Sequence, residues 1–308
     1  MGDHIILESI KEQMNDLLSR AFVVEISTHF PLSLYMRLVK YVDYRFVCGS
    51  NLLSSKMNSP FSQWDVKMRN LYVGPCVLVG AGWKQYEGKP NLATKRLYKK
   101  TLSTEYMHSV RDSFTAQQLK SIGINNVINT SCPTMWNLTQ EHCAQIPVKK
   151  SNSVVTTITD YSQNEKRDKM MLDILSGCYE KVYLWQQGIR DGEYVEKLGI
   201  KNSNIELIAP TLDAFDNVLK KDIDYVGTRL HAGIRALQKK KRTLIVAIDN
   251  RAVEKQKDFN LPCVSCNNLS DLKNIIESQF ITDIKIPIEN IQRWKSQFLE
   301  NLNNNGEI

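Results

Sequence analysis

An α/β fold made of two successive Rossmann-like domains is what this sequence predicts, on three observations. Strand-like and helix-like patterns alternate along the whole chain, as they do where helices cover both faces of a parallel sheet. The alternation breaks at Gln145-Ile146-Pro147-Val148-Lys149-Lys150-Ser151-Asn152 and then restarts; proline, charge and small polar residues make that stretch a linker. A length of 308 residues suits two domains of ordinary size, each with its own core.

The elements follow in order. Ile6, Ile10, Met14 and Leu17 recur at helical spacing. Phe22-Val23-Val24-Glu25-Ile26 reads as a strand, followed by a helix from Leu32 to Val42. Strands are expected at Tyr44 to Cys48 and Cys76 to Gly80, then a helix near Ala93 to Leu102. A strand from Tyr106 to Val110 leads into a helix from Ser113 to Ile122. After the linker, the β-branched run Ser153 to Thr159 is a strand and Asp168 to Cys178 has helical periodicity. Further strands are Lys181 to Trp185, Ile205 to Ile208, Tyr225-Val226 and Thr243 to Ile248. A last helix, around Glu289 to Leu302, is expected to pack back on the first domain. The domains are therefore drawn at 1–149 and 150–288, with 289–308 as the terminal helix. Two Rossmann-like domains with an interdomain cleft make a GT-B-like arrangement.

Composition narrows the class. No stretch approaches the ~18 apolar residues of a membrane span, and the first residues lack a signal-peptide pattern. Seven scattered cysteines, an odd number, fit a reducing compartment. A cytoplasmic enzyme is expected, with contact at the inner face of the membrane left open. Cys263-Val264-Ser265-Cys266 has no second CxxC or paired histidines beside it and reads as a strand packing two small thiols. The net charge of +7 points to anionic partners. Its clusters are Lys95-Arg96 with Lys99-Lys100, and Lys239-Lys240-Lys241-Arg242. Neither is interleaved with the aromatics of a nucleic-acid platform, and the second reads as a solvated connection between helix and strand.

The chemistry concentrates in Asp224-Tyr225-Val226-Gly227-Thr228-Arg229-Leu230-His231-Ala232-Gly233-Ile234-Arg235-Ala236-Leu237. A short strand meets a glycine and then a helix, with Arg229 and His231 at the turn. The first turn of a helix carries unpaired N–H groups and partial positive charge, so it suits an anion. His231 is the proton-transfer candidate, because imidazole titrates near neutral pH. The alternative is a buried strand–helix junction whose polar groups only cap the helix. Arg190 and Arg251 also follow strand ends and are second candidates for substrate binding. Ligands in such sheets sit beyond the carboxyl ends of the strands, which Arg111 can reach as well.

The segment Arg229-Leu230-His231 resembles the Arg-Leu-His signature of the polysaccharide pyruvyl transferase family. Three further stretches are similar to that family in the same order. Gly2-Asp3-His4-Ile5-Ile6 resembles its Gly-Asp opening. Phe46-Val47-Cys48-Gly49-Ser50-Asn51-Leu52-Leu53 resembles its strand and Gly-Gly-Asn-type loop. Ser109-Val110-Arg111-Asp112-Ser113, with Leu119 and Ile122-Gly123 following, resembles its Arg-Asp/Glu-x-x-Ser segment. The resemblance implies transfer of pyruvate from phosphoenolpyruvate to a sugar as a cyclic ketal, in cell-surface polysaccharide biosynthesis. It implies Arg111, Arg229 and Leu230 as donor-binding residues, with Gly49 and Asn51 in the binding loop and His231 as acid or base. Arginine's planar fork suits both the phosphate and the carboxylate of that donor. A structural ion pair with Asp112 is the alternative role for Arg111. The acceptor would be a soluble or lipid-linked glycan. No metal and no cofactor are expected, phosphoenolpyruvate being a substrate.

The chain departs from the family pattern twice. The family begins with a strand before its Gly-Asp loop, whereas Met1 directly precedes Gly2, so an opening strand is expected upstream. Ser131-Cys132-Pro133-Thr134 stands where the family often has Asp-Pro. Two other functions fit the same pattern: a GT-B glycosyltransferase using a nucleotide sugar, and a non-enzymatic basic α/β binding protein.

Overall fold

β-Branched runs in the second half of the chain become one parallel sheet in the computed structural model, which describes residues 1–30, 39, 41–59, 62–66 and 74–304. By internal contacts the chain forms two units. One comprises Met1–Ile5 with Asn137–Lys285, the other Ile6–Trp136 with Ile286–Ile308. The division after Trp136 lies ahead of the linker read from composition, because the helix Gln140–Cys143 and Ile146 belong with the later residues.

The unit around residues 6–136 begins within helix α1 (Gly2–Gln13), continues through α2 (Asn15–Leu18), and holds strands β1 (Phe46–Cys48) and β2 (Val77–Val79) in parallel. After α3 (Leu92–Thr101) come β3 (His108–Val110), α4 (Ser113–Ser121) and β4 (Val127–Asn129), with β3 and β4 also parallel. Side chains of β3 complete the backbone of β2. Leu78 N–H donates to His108 Nδ1 at 3.2 Å, and Gly80 N–H donates to Ser109 Oγ at 2.9 Å. The expected helical stripe is present: Ile6, Ile10, Met14 and Leu17 are buried with Val77, Val79, Trp136, Trp294 and Phe298. The final helix α12 (Ile288–Asn304) is tied here, as Trp294 Nε1 donates to the Met107 carbonyl at 2.8 Å.

The other unit carries β5 (Ser153–Thr156), β6 (Lys181–Trp185), β7 (Ile205–Ile208), β8 (Asp224–Gly227), β9 (Thr243–Ala247) and β10 (Cys263–Ser265). Their spatial order is β10-β9-β8-β5-β6-β7, and every pair is parallel. The connecting helices are α5 (Gln140–Cys143), α6 (Glu165–Cys178), α7 (Asp191–Leu198), α8 (Leu212–Val218), α9 (Leu230–Gln238), α10 (Asn250–Phe259) and α11 (Leu272–Glu277). From β5 the chain builds outward through β6 and β7, then returns to the other side of β5 with β8. That reversal makes the β5–β8 edge a topological switch point, where parallel sheets place ligands.

Two readings are corrected, and a third falls largely outside the described residues. Phe22 to Ile26 is no strand: Phe22 is 93% exposed and the segment pairs with no described strand. A run of apolar, β-branched residues makes a strand only where a neighbour supplies a ladder. The helix expected over Leu32 to Val42 lies largely outside the described residues. The basic run is exposed at Lys239 and Lys240 and half-buried at Lys241. Arg242 is buried, donating from Nη1 to Asp224 Oδ2 at 2.8 Å and from Nη2 to the carbonyls of Ile276 and Ser278 at 2.8 Å. Among the described residues no helix is long and apolar enough to cross a membrane.

Candidate functional site

Sequence decides which helix starts carry a side-chain cap. Asn91, Asp112, Asn164, Thr211 and Asp249 each cap a helix by accepting a backbone N–H. Helix α9 starts differently, because its cap residue is Arg229, which has donors only. The Arg229 side chain accepts no N–H of α9, and this helix start stands at the switch point. Gly227 and Thr228 bring the chain there. Thr228 N–H donates to the Thr157 carbonyl at 3.0 Å and Arg229 N–H to Thr157 Oγ1 at 3.2 Å, joining the ends of β5 and β8.

The Arg229 side chain is built into the same edge. Nε donates to the Ile158 carbonyl at 3.0 Å, and Nη2 to Asp160 Oδ1 at 2.9 Å and Asp191 Oδ1 at 2.5 Å. Asp191 is fully buried and its other oxygen accepts the N–H groups of Gln187 and Gly188 at 2.8 and 2.6 Å. Gly188 is required by proximity: a β-carbon there would lie 2.4 Å from Arg229 Nη2. Two carboxylates thus flank one guanidinium, and its Nε/Nη2 edge is occupied by protein. Among the described residues no partner is recorded for Nη1.

Leu230 and His231 follow as the first residues of α9, both buried. His231 lies beside the opening of α1, since a β-carbon on Gly2 would sit 3.8 Å from His231 Nδ1 and 3.2 Å from Gln187 Nε2. The Gly-Asp opening, the end of β6 and the Arg-Leu-His turn therefore meet. Arg251, after β9, joins the group through Tyr161. Arg251 donates from Nη2 to the Tyr161 hydroxyl and from Nε to both Asp249 oxygens at 3.0 Å. Arg229 Cζ lies 5.1 Å from the centroid of the same ring. Arg190 is exposed on the β6–α7 turn, and its side chain has no recorded hydrogen bond or ion pair with a described residue. The structure does not tie it to the cluster.

The remaining candidates belong to the other unit. Arg111 follows β3 and is 2% exposed; Nε donates to Asp112 Oδ2 at 3.0 Å and Nη2 to the Trp83 carbonyl at 2.8 Å. It lies on Gly82, where a β-carbon would be 1.9 Å from Nε. The ion pair with Asp112 is present, and Asp112 also caps α4 through Thr115 N–H at 2.7 Å. Gly49 has φ of +45°, and a β-carbon there would be 2.5 Å from Ile6 Cγ2, so this glycine serves a tight turn against α1. Asn51 is half-buried, its Oδ1 without a hydrogen-bond partner among the described residues.

Sequence reasoning missed Asp160, Tyr161, Gln187 and Asp191. All four stand two to six residues past the ends of β5 and β6, a position that could have singled them out; their meeting with Arg229 depends on strand order, which one sequence does not state.

These observations define an α/β protein whose strand–helix turn carries an arginine and a histidine at the switch point of a parallel sheet. The sequence profile of the polysaccharide pyruvyl transferase family matches residues 1–250, and the chain belongs to that family. Among solved structures it is similar to Staphylococcus aureus MnaA in complex with UDP, at 14% identity and TM-score 0.54, covering 97% of this chain and 86% of that one. It is also similar to Methanocaldococcus jannaschii UDP-GlcNAc 2-epimerase in complex with UDP-GlcNAc and UDP, at 12% identity and TM-score 0.49, covering 75% and 69%. At such identities the first likeness speaks to the α/β fold alone. No match was found among curated proteins.

Proposed function

We propose that this protein transfers pyruvate from phosphoenolpyruvate to two hydroxyls of a glycan, forming a cyclic ketal and releasing phosphate. The observation that carries the reading is the Arg229-Leu230-His231 turn at the uncapped start of α9, in a chain belonging to the pyruvyl transferase family. The donor's anionic groups accept from the first N–H groups of α9 and from Arg229 Nη1, the edge not used by Asp160 and Asp191. Arg251, joined to the turn through Tyr161, serves the acceptor side in this reading.

The chemistry follows from the enol. A proton delivered to the methylene carbon makes the phosphate-bearing carbon electrophilic, and one sugar hydroxyl adds there, losing its proton. The second hydroxyl then displaces phosphate, and its proton leaves with the phosphate dianion. The two hydroxyl protons thus balance the new methyl hydrogen and the protonated phosphate. His231 is the residue placed to move a proton beside the bound donor. The glycan chain stands outside the anion site, so a lipid-linked acceptor would place the protein at a membrane surface.

The fold likeness to a UDP-bound protein supports one competing reading, a nucleotide-sugar transferase. Thermal unfolding separates the two. Millimolar phosphoenolpyruvate is expected to raise the melting temperature, while UDP-sugars leave it unchanged. Protection by UDP-sugars alone reverses the assignment, and protection by polyanions alone points to a binding protein.

A further inference from the structure

We infer that Tyr161 is a sugar-stacking platform for the acceptor, an assignment that rests on the glycan-modifying reading above. Tyr161 sits in the short turn after β5 and is 57% exposed, yet its ring is held at two points. Arg229 Cζ lies 5.1 Å from the ring centroid. Arg251 donates to the hydroxyl, with its Cζ 5.7 Å from the centroid. A guanidinium bonded to the hydroxyl at that distance lies beyond the ring edge, not over a face. One face therefore rests on Arg229 and the other faces solvent.

Immobilising an exposed tyrosine costs side-chain entropy that no burial repays at this position. A ring so fixed, with one wet apolar face, is suited to a ligand that is apolar on one side and hydroxylated at its rim. A pyranose has that form: axial C–H groups on one face and hydroxyls around the edge. The rim partners are present. Asp249 is partly exposed and binds the same Arg251 that holds the Tyr161 hydroxyl, so a carboxylate and a phenol border the ring. The ring's contact with Arg229 sets this platform next to the turn that carries His231. A sugar stacked on Tyr161 would thus present its hydroxyls within the same cluster of residues as the donor's anionic groups.

Saturation-transfer difference NMR tests this without donor, using the methyl glycosides of galactose, glucose and N-acetylmannosamine, with uridine monophosphate as a fourth probe. The wild-type protein and Tyr161→Phe are expected to transfer saturation to ring C–H protons of at least one glycoside. Tyr161→Ala is expected to weaken that transfer about fivefold, the loss of one aromatic stacking contact. Tyr161→Leu, which keeps apolar bulk without a ring, replaces the alanine variant if the latter melts early. Equal transfer in the ring-less variants, or none from any glycoside in the wild type, overturns the assignment. So does transfer confined to uridine monophosphate. Phosphate release from phosphoenolpyruvate is measured separately: sugar stacking without such release leaves Tyr161 a sugar site and removes the pyruvyl donor.

Discussion

Arg229 is held so firmly by its own protein that removing it tests folding as much as binding. Its partner Asp191 is fully buried, and a β-carbon on Gly188 would press on the same guanidinium. Deleting one member of a buried pair strands the other charge, at a cost of about 3–5 kcal/mol. Arg229→Ala should therefore unfold at markedly lower denaturant, and adding Asp191→Asn should recover part of the loss. Denaturant titration of the single and double variants checks this; a single variant as stable as wild type would show that Asp191 does not depend on Arg229. His231 carries the opposite expectation. His231→Asn should bind phosphoenolpyruvate normally by calorimetry while turnover falls ~10²–10⁴-fold, the range for one general acid/base. Intact turnover with impaired folding would return His231 to a helix-start role.

At the scale of elements, the joint between β2 and β3 depends on a neutral histidine. His108 Nδ1 accepts from Leu78 N–H at 3.2 Å, and its Nε2 pairs with the Ser103 carbonyl at 2.9 Å, so Nδ1 bears the lone pair and Nε2 the proton. Burial pushes its pKa down from 6.5 to about 4, against the opposing pull of the Ser103 carbonyl. Between those values the unfolded chain binds a proton that the folded one refuses, so stability rises with pH across that window and is lost as pH falls through it. The full shift corresponds to about 3 kcal/mol. His108→Gln should flatten the dependence between pH 6.5 and 4, whatever it does to stability at neutral pH. An unchanged pH slope in that variant would assign the acid sensitivity elsewhere.

Across the whole molecule, what the sequence made legible is what local pattern encodes. Thr243 to Ala247 and Ser153 to Thr156 are strands because consecutive β-branched residues are buried on both faces of a parallel sheet. The same kind of pattern failed at Phe22 to Ile26, where no described strand pairs with it. Arg229, His231 and Arg251 were legible because each is a basic side chain within four residues of the end of a strand that its local pattern shows. Asp160, Tyr161, Gln187 and Asp191 were not, because only the order β8-β5-β6 brings their loops to Arg229. The basic run misled for a related reason: Arg242 finds its acceptors in Asp224 and at the end of α11, in Ile276 and Ser278, far along the chain. The central claim is that the turn at the start of α9 holds a pyruvyl donor for a glycan. Incubating the protein with phosphoenolpyruvate and a panel of soluble and lipid-linked glycans, and following both phosphate and the ketal methyl singlet by NMR, tests it directly. The account predicts equal amounts of phosphate and ketal with at least one acceptor, and neither with His231→Asn. No phosphate from phosphoenolpyruvate with any acceptor, together with turnover of a nucleotide sugar, would contradict it.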